Sequence, residues 1–214
     1  MCGITGFINF KKNISTETSI LKKMVKTLDK RGPNSEGLFS SKHVQLGHRR
    51  LIVVDPKGGI QPMIKKYENN EYVLVYNGEL YNTEDLRKEL LSEGFTFNSY
   101  SDTEVLLTSY ISWGIDCVKK FNGIFAFAIY DKKKDKILIA RDPVGVKPLF
   151  YTIKDNTFIF GSEIKTLLAN PLVDAVLDEE GLTELFSLGP AVLPGSGILK
   201  DIKELSPGEL CFID

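Results

Sequence analysis

Only two histidines, His43 and His48, occur in the 214 residues, and only three cysteines, Cys2, Cys117 and Cys211. With three cysteines far apart and only two histidines, no zinc pattern can be assembled, and no metal site is expected. An odd number of scattered cysteines speaks against a secreted disulfide scaffold, so reduced thiols are expected. No apolar run approaches the ~20 residues of a membrane-spanning helix, and no basic start precedes an apolar leader. Charge of one sign is lacking as well: 27 Lys and Arg stand against 28 Asp and Glu, a net charge of -1. Such a chain has no overall field to draw it to nucleic acid or anionic lipid, which leaves small molecules and proteins as partners. A cytoplasmic location is the expectation. There is no internal repeat and no low-complexity tract, and 43% hydrophobic residues can fill a substantial core, so residues 1–214 are read as one domain.

What is present starts at the amino terminus, Met1-Cys2-Gly3-Ile4. Removal of Met1, which the small Cys2 side chain permits, would leave one residue with a thiol and a free α-amine. An α-amine titrates near ~8 and a thiol near ~8.5, so the pair is a nucleophile with its own base. Cys2 to Phe10 is rich in β-branched and aromatic residues and predicts a strand, which would tether that terminus in a sheet.

Leu21, Met24, Val25 and Leu28 follow a helical period behind Ser15 or Thr16 as cap, with Gly32-Pro33 as the stop. Val44 to His48 and Leu51 to Val54 read as strands, as does Tyr72 to Tyr76, which is expected to stop at an Asn77-Gly78 turn. Asn82 or Thr83 should cap a helix through Leu86, Leu90 and Leu91 that closes at Gly94. Ser101 with Glu104 forms a capping box, leaving Asp102 in the first turn of the next helix. Ile124 to Asp131 and Ile137 to Ala140 alternate across a lysine-rich tip and predict a hairpin. Short strands follow around Phe150 and Phe158 to Phe160, then helices at Ile164 to Leu168 and Leu182 to Leu188. Gly189 to Gly197 is a loop and Glu209 to Ile213 a last strand. Strands in runs favour antiparallel sheets covered by helices over a parallel doubly wound fold.

Four stretches occur together in one order: Met1-Cys2-Gly3-Ile4, Gly47-His48-Arg49-Arg50-Leu51 through Asp55, Asn77-Gly78-Glu79-Leu80-Tyr81-Asn82, and Ser101-Asp102. With Arg141-Asp142-Pro143-Val144-Gly145-Val146-Lys147-Pro148-Leu149, Ser162-Glu163-Ile164-Lys165 and Leu205-Ser206-Pro207-Gly208, the chain resembles, over nearly its whole length, the glutaminase domain of glutamine-dependent asparagine synthetases. The resemblance implies an α+β fold of the N-terminal nucleophile hydrolase type, an αββα sandwich of two antiparallel sheets between helical layers. It implies hydrolysis of the glutamine side-chain amide by Cys2, with Asn77 and Gly78 forming an oxyanion hole. It gives Arg50 the α-carboxylate of L-glutamine and Asp102, helped by Glu79, the ammonium, with Leu51, Ile52, Val53 and Val54 lining the pocket. Arg49 and Arg50 are adjacent on a strand and face opposite ways, so only one can enter the pocket, and the motif register selects Arg50. The amine of Cys2 leaves no need for His48 as a base, and Cys117 and Cys211 read as packing residues.

The family's second domain, which activates aspartate with ATP and Mg, has a pyrophosphate loop that nothing here matches. No cofactor is expected in this chain, whose expected partner is that synthetase domain, in the same full-length protein or as a separate subunit, with the first favoured; a homodimer is admitted as well. Relatives feeding a sugar phosphate or phosphoribosyl acceptor usually place Trp or Tyr after the matching arginine. Here Leu51 and Val53-Val54-Asp55 favour the asparagine branch, and intact Cys2, Asn77, Gly78 and Asp102 argue against a non-catalytic interaction module. The register makes a direct prediction: Arg50→Ala should reduce kcat/KM for glutamine far more than Arg49→Ala. Steady-state kinetics on both variants check it, and equal losses would place the pocket arginine wrongly by one residue.

Overall fold

Alternation along the strands sets the layers. In the computed structural model, which describes residues 1–53, 55–189, 193 and 195–214, the strands form two sheets. One holds β1 (Gly3–Ile8), β2 (Ser35–Ser40), β3 (Val44–Arg50), β8 (Phe150–Lys154), β9 (Thr157–Gly161) and β10 (Lys203–Glu204), in the order β10-β8-β9-β1-β3-β2. The other holds β4 (Met63–Tyr67), β5 (Asn70–Leu80), β6 (Gly123–Asp131), β7 (Lys136–Arg141) and β11 (Leu210–Ile213), in the order β11-β7-β6-β5-β4. Every described pairing within them is antiparallel. Helices α1 (Thr18–Lys26) and α4 (Ile164–Leu168) cover the first sheet, and α2 (Thr83–Ser92) and α3 (Asp102–Trp113) the second. A further helix, α5 (Glu179–Leu188), precedes β10.

Successive side chains of a strand face opposite ways, and β5 shows the result. Val73 and Val75 turn inward to meet Ile4, Ile8, Ala126 and Ala128 between the sheets. Leu74 and Tyr76 turn outward onto Leu86, Leu90, Val105 and Leu106 of α2 and α3. On the other sheet Phe7 and Ile159 pack under Leu21, Met24 and Val25 of α1 and Leu167 of α4. The helix-sheet-sheet-helix layering implied by the family resemblance is therefore present.

β1 is an interior strand, with β3 on one side and β9 on the other. Its first residues are pinned further. Ile4 N–H donates to Ser162 Oγ at 3.0 Å, Ser162 N–H returns a bond to Ile4 O at 2.9 Å, and Arg31 Nε donates to Cys2 O at 3.0 Å. Glu163 holds Arg31 by an ion pair of 3.2 Å, so the Ser162-Glu163 motif serves to fix the start of the chain.

The hairpin of β6 and β7, the strands β8, β9 and β11 and the helices α4 and α5 lie where the pattern predicts them. Other expectations need correction. β5 runs unbroken through Asn77 and Gly78 to Leu80, with Asn77 opposite Ala126 and Gly78 opposite Phe125, so no turn interrupts it. Leu51 to Val53 is irregular chain after the end of β3, and Val54 lies outside the described residues. α1 starts at Thr18 behind Glu17 with no side-chain cap and gives way to turns after Lys26. Asn82 caps nothing by its side chain: it donates to Lys120 O at 2.9 Å and accepts from Asn122 N–H at 3.0 Å. β2 and β4 were not anticipated; both are half-exposed outer strands without clean alternation. The Ser101 cap is present, accepting from Glu104 N–H at 3.3 Å. The Glu104 carboxylate does not complete the box and instead binds Asn98 N–H, Ser99 N–H and Lys65 Nζ.

Candidate active site

Three strand ends and a helix start meet around a cavity of about 240 Å³. Cys2, just ahead of β1, places its thiol on the wall, where Leu51 N–H donates to Sγ at 3.4 Å and Leu51 O lies 3.6 Å away. β3 delivers Arg50. Because neighbouring residues on a strand diverge, Arg49 turns to the opposite face and pairs with Glu36 at 3.2 Å. Arg50 is buried, lines the cavity, and donates to Asp55 O at 2.7 Å and Pro56 O at 2.9 Å, which draws the loop after β3 around the guanidinium. Gly59 lies against that guanidinium, where a side chain would have to displace it.

From the other sheet, β5 brings Tyr76, Asn77, Gly78 and Glu79 to the same cavity. Asn77 is 1% exposed, and its Nδ2 donor has no hydrogen-bond partner among the described residues. A buried amide N–H₂ left unpaired is costly in a native structure, and on a cavity wall a ligand oxygen can complete it. Gly78 is extended, and its requirement is steric: a Cβ there would run into the Ile124 carbonyl and the Tyr76 ring. Asp102 opens α3, accepting from Tyr76 Oη at 2.8 Å and Leu80 N–H at 3.2 Å.

The electrostatics follow from burial. Desolvation pushes the Cys2 thiol up, and Asp102 adds to the rise, while the Leu51 N–H bond, the amino terminus and Arg50 oppose it. Burial also pushes the Asp102 carboxyl up, against the Tyr76 and Leu80 bonds. His48 is pushed down to about 3 by burial, so it is neutral, and its Nε2–H donates to Tyr76 O at 3.2 Å. That bond joins β3 of one sheet to β5 of the other, a bridging position rather than a base beside the thiol. Cys117 and Cys211 are pushed up to about 12 and about 11 by burial and lie outside the cavity.

Of the residues singled out from the sequence, Cys2, Arg50, Leu51, Val53, Asn77, Gly78, Glu79 and Asp102 come together on this cavity. Ile52 does not: it is 39% exposed, and its N–H donates outward to Asn34 Oδ1 at 2.9 Å. Val54 lies outside the described residues. Gln61, Tyr76 and Lys147 line the cavity and were not anticipated as site residues. Only Lys147 had a signal, its place in the Arg141 to Leu149 motif. There the buried Asp142 carboxylate accepts from the N–H groups of Val144, Val146 and Lys147 and shapes the loop that carries it. A second cavity of about 1010 Å³ beside α5 contains none of the predicted residues. Among the described residues no group of three or more His, Cys, Asp and Glu could hold a metal ion, and no helix is long and apolar enough to cross a membrane. A thiol, an unpaired amide donor, a guanidinium and a carboxylate on one small cavity can together attack a carbonyl carbon, hold the oxyanion and bind a zwitterion.

Comparison with known proteins adds the following. A family model described as "Glutamine amidotransferase domain" matches residues 1–214. The chain is 54% identical over 207 residues to "Asparagine synthetase [glutamine-hydrolyzing] 3" of Bacillus subtilis, covering 97% of this chain and 34% of that protein. It is 34% identical over 169 residues to "Asparagine synthetase B [glutamine-hydrolyzing]" of Escherichia coli, covering 78% of this chain and 30% of that protein. The chain thus spans about one third of the length of these curated relatives. Among solved structures, a glutamine phosphoribosylpyrophosphate amidotransferase from B. subtilis is similar in fold, with TM-score 0.66 at 20% identity, over 78% of this chain and 43% of that one.

The raised thiol is open to measurement. In protein retaining Met1, the rate of Cys2 alkylation by iodoacetamide, followed by peptide mass analysis, should reach half its limit at a pH above that of an exposed thiol. The protonated form is the one burial favours, so reactivity is suppressed near neutrality and returns as pH rises. A midpoint at or below the ordinary thiol value would contradict the enclosed geometry.

Proposed function

Because this chain belongs to the glutamine amidotransferase domain family, we propose that Cys2 is its nucleophile and that the cavity holds L-glutamine. With Met1 removed, the α-amine of Cys2 takes the thiol proton, and sulfur attacks the side-chain amide carbon. The carbonyl electron pair moves onto oxygen, where Asn77 Nδ2 and the Gly78 N–H stabilise it. Collapse breaks the C–N bond, the departing nitrogen takes the proton from the amine and leaves as ammonia, and a thioester remains. Water then adds to the thioester, the sulfur leaves and regains its proton through the amine, and glutamate is released. Arg50 attracts the α-carboxylate, Asp102 and Glu79 the ammonium, and Leu51 and Val53 wall the aliphatic part. The observation that carries this reading is the buried, unpartnered amide of Asn77 on the same 240 Å³ cavity as the Cys2 thiol.

The ammonia is proposed to serve asparagine synthesis from aspartate in an ATP- and Mg-dependent synthetase portion. The names of the relatives and the third of their length covered here support that reading. So does α5, whose orientation is inverted: Gly181 and Glu184 are buried while Leu182, Leu185 and Phe186 face outward, Phe186 at 84% exposure. A helix that buries its glutamate and shows its apolar residues is suited to a partner's surface, and the synthetase portion is the partner proposed. Three free cysteines fit the reducing cytoplasm.

The test is incubation of the chain, with Met1 confirmed absent by intact mass, with glutamine, aspartate, ATP and magnesium. Glutamate and ammonia should form without asparagine, and Asn77→Ala should lower kcat by roughly 10²- to 10³-fold with a smaller effect on substrate binding. No glutamate from the wild type would count against the cavity assignment, and a normal kcat in Asn77→Ala would remove that residue from the mechanism.

A further inference from the structure

We propose that Gln61 is a specificity-determining residue, donating through its Nε2–H₂ group to the α-carboxylate of the amino acid in the cavity. The proposal rests on the glutamine reading above and extends it to a residue with no role there.

Gln61 lies on the irregular chain between the Arg50 loop and β4, is 7% exposed, and lines the cavity with Arg50, Tyr76 and Asp102. Its Oε1 accepts the Tyr76 N–H at 2.6 Å. Tyr76 is beyond the end of the β4 ladder, which pairs Met63 with Leu74, so the side chain of Gln61 supplies the acceptor that a strand would otherwise provide. That bond also orients the carboxamide. A backbone N–H needs an oxygen, so the amide nitrogen must be the other end, and it has no hydrogen-bond partner among the described residues. A buried side chain thus keeps two N–H donors on a cavity wall with nothing among the described residues to receive them.

The chemistry of the ligand says which of its groups they meet. Glutamine offers two kinds of acceptor, the side-chain amide oxygen and the α-carboxylate. The amide oxygen is assigned to Asn77 and Gly78. The carboxylate has about four lone-pair sites, while Nη1 and Nη2 of Arg50 already donate to Pro56 O and Asp55 O. Arg50 supplies charge, and Gln61 adds donors at a second point of the carboxylate, so that a carboxamide in its place would turn its own N–H₂ against one of them.

Gln61→Glu tests this, because it keeps Oε1 for the Tyr76 N–H and turns the donor into a second carboxylate oxygen. Glutamine hydrolysis is measured for wild type and variant with L-glutamine and with its α-carboxamide analogue. KM for L-glutamine should rise roughly ten- to a hundredfold with kcat little changed, since one hydrogen bond to a charged group is replaced by repulsion. The preference for L-glutamine over the analogue should fall by a similar factor. An unchanged KM, or an equal rise for both substrates, would show that Gln61 only completes the strand. A second measurement needs no change at position 61: in ¹⁵N-labelled Cys2→Ala protein, the Gln61 side-chain amide resonance should shift on adding L-glutamine. Shifts at Asn77 and Gly78 without one at Gln61 overturn the proposal while leaving the cavity reading intact. Wild-type protein, with Met1 absent, that hydrolyses no glutamine overturns both.

Discussion

Everything at this site depends on holding the second residue of the chain still. Chain ends fray because few bonds tie them, yet here β1 is paired with β3 from Gly3 onward and with β9 from Thr5. Arg31 holds the Cys2 carbonyl, Ser162 holds Ile4, and Glu163 holds Arg31. Such a restraint keeps the Cys2 thiol at the cavity wall, and residues far apart in the chain contribute to it.

The two sheets then divide the work. The first brings the thiol and Arg50; the second brings Asn77, Gly78 and, through Tyr76, the carboxylate of Asp102. Tyr76 is central to that second group. Its ring oxygen reaches Asp102, its N–H reaches Gln61, and its carbonyl receives His48 from the opposite sheet. One backbone position thus ties together the two walls of the cavity, and the neutral imidazole of His48 is the bolt between them.

Much of this was legible in the sequence where local physics decides the outcome. The β6–β7 hairpin alternates, Ser101 is a good cap, and Arg49 and Arg50 had to diverge because strand neighbours do. The misreadings arise where the outcome depends on what lies opposite. Asn77-Gly78 has the composition of a hairpin turn, but Ala126 and Phe125 provide a partner strand and the pairing continues past it. Leu51 to Val53 is β-branched enough for a strand, but the chain there turns toward Asp55 and Pro56, whose carbonyls the Arg50 guanidinium gathers. β2 and β4 carry Ser, Glu and Lys on sheet borders and show no period to detect. Gln61 and Tyr76 had no signal at all, because what matters about them is a tertiary neighbour rather than a spacing.

Gly78 shows how such a site limits the variation open to it. Alanine is a single nucleotide change away from any glycine codon, so this substitution is sampled continually in any lineage that carries the gene. The crowding of the Ile124 carbonyl and the Tyr76 ring around that position rejects it on packing alone. A side chain at residue 78 is therefore expected to disturb β5 itself, whether or not the reaction is called upon.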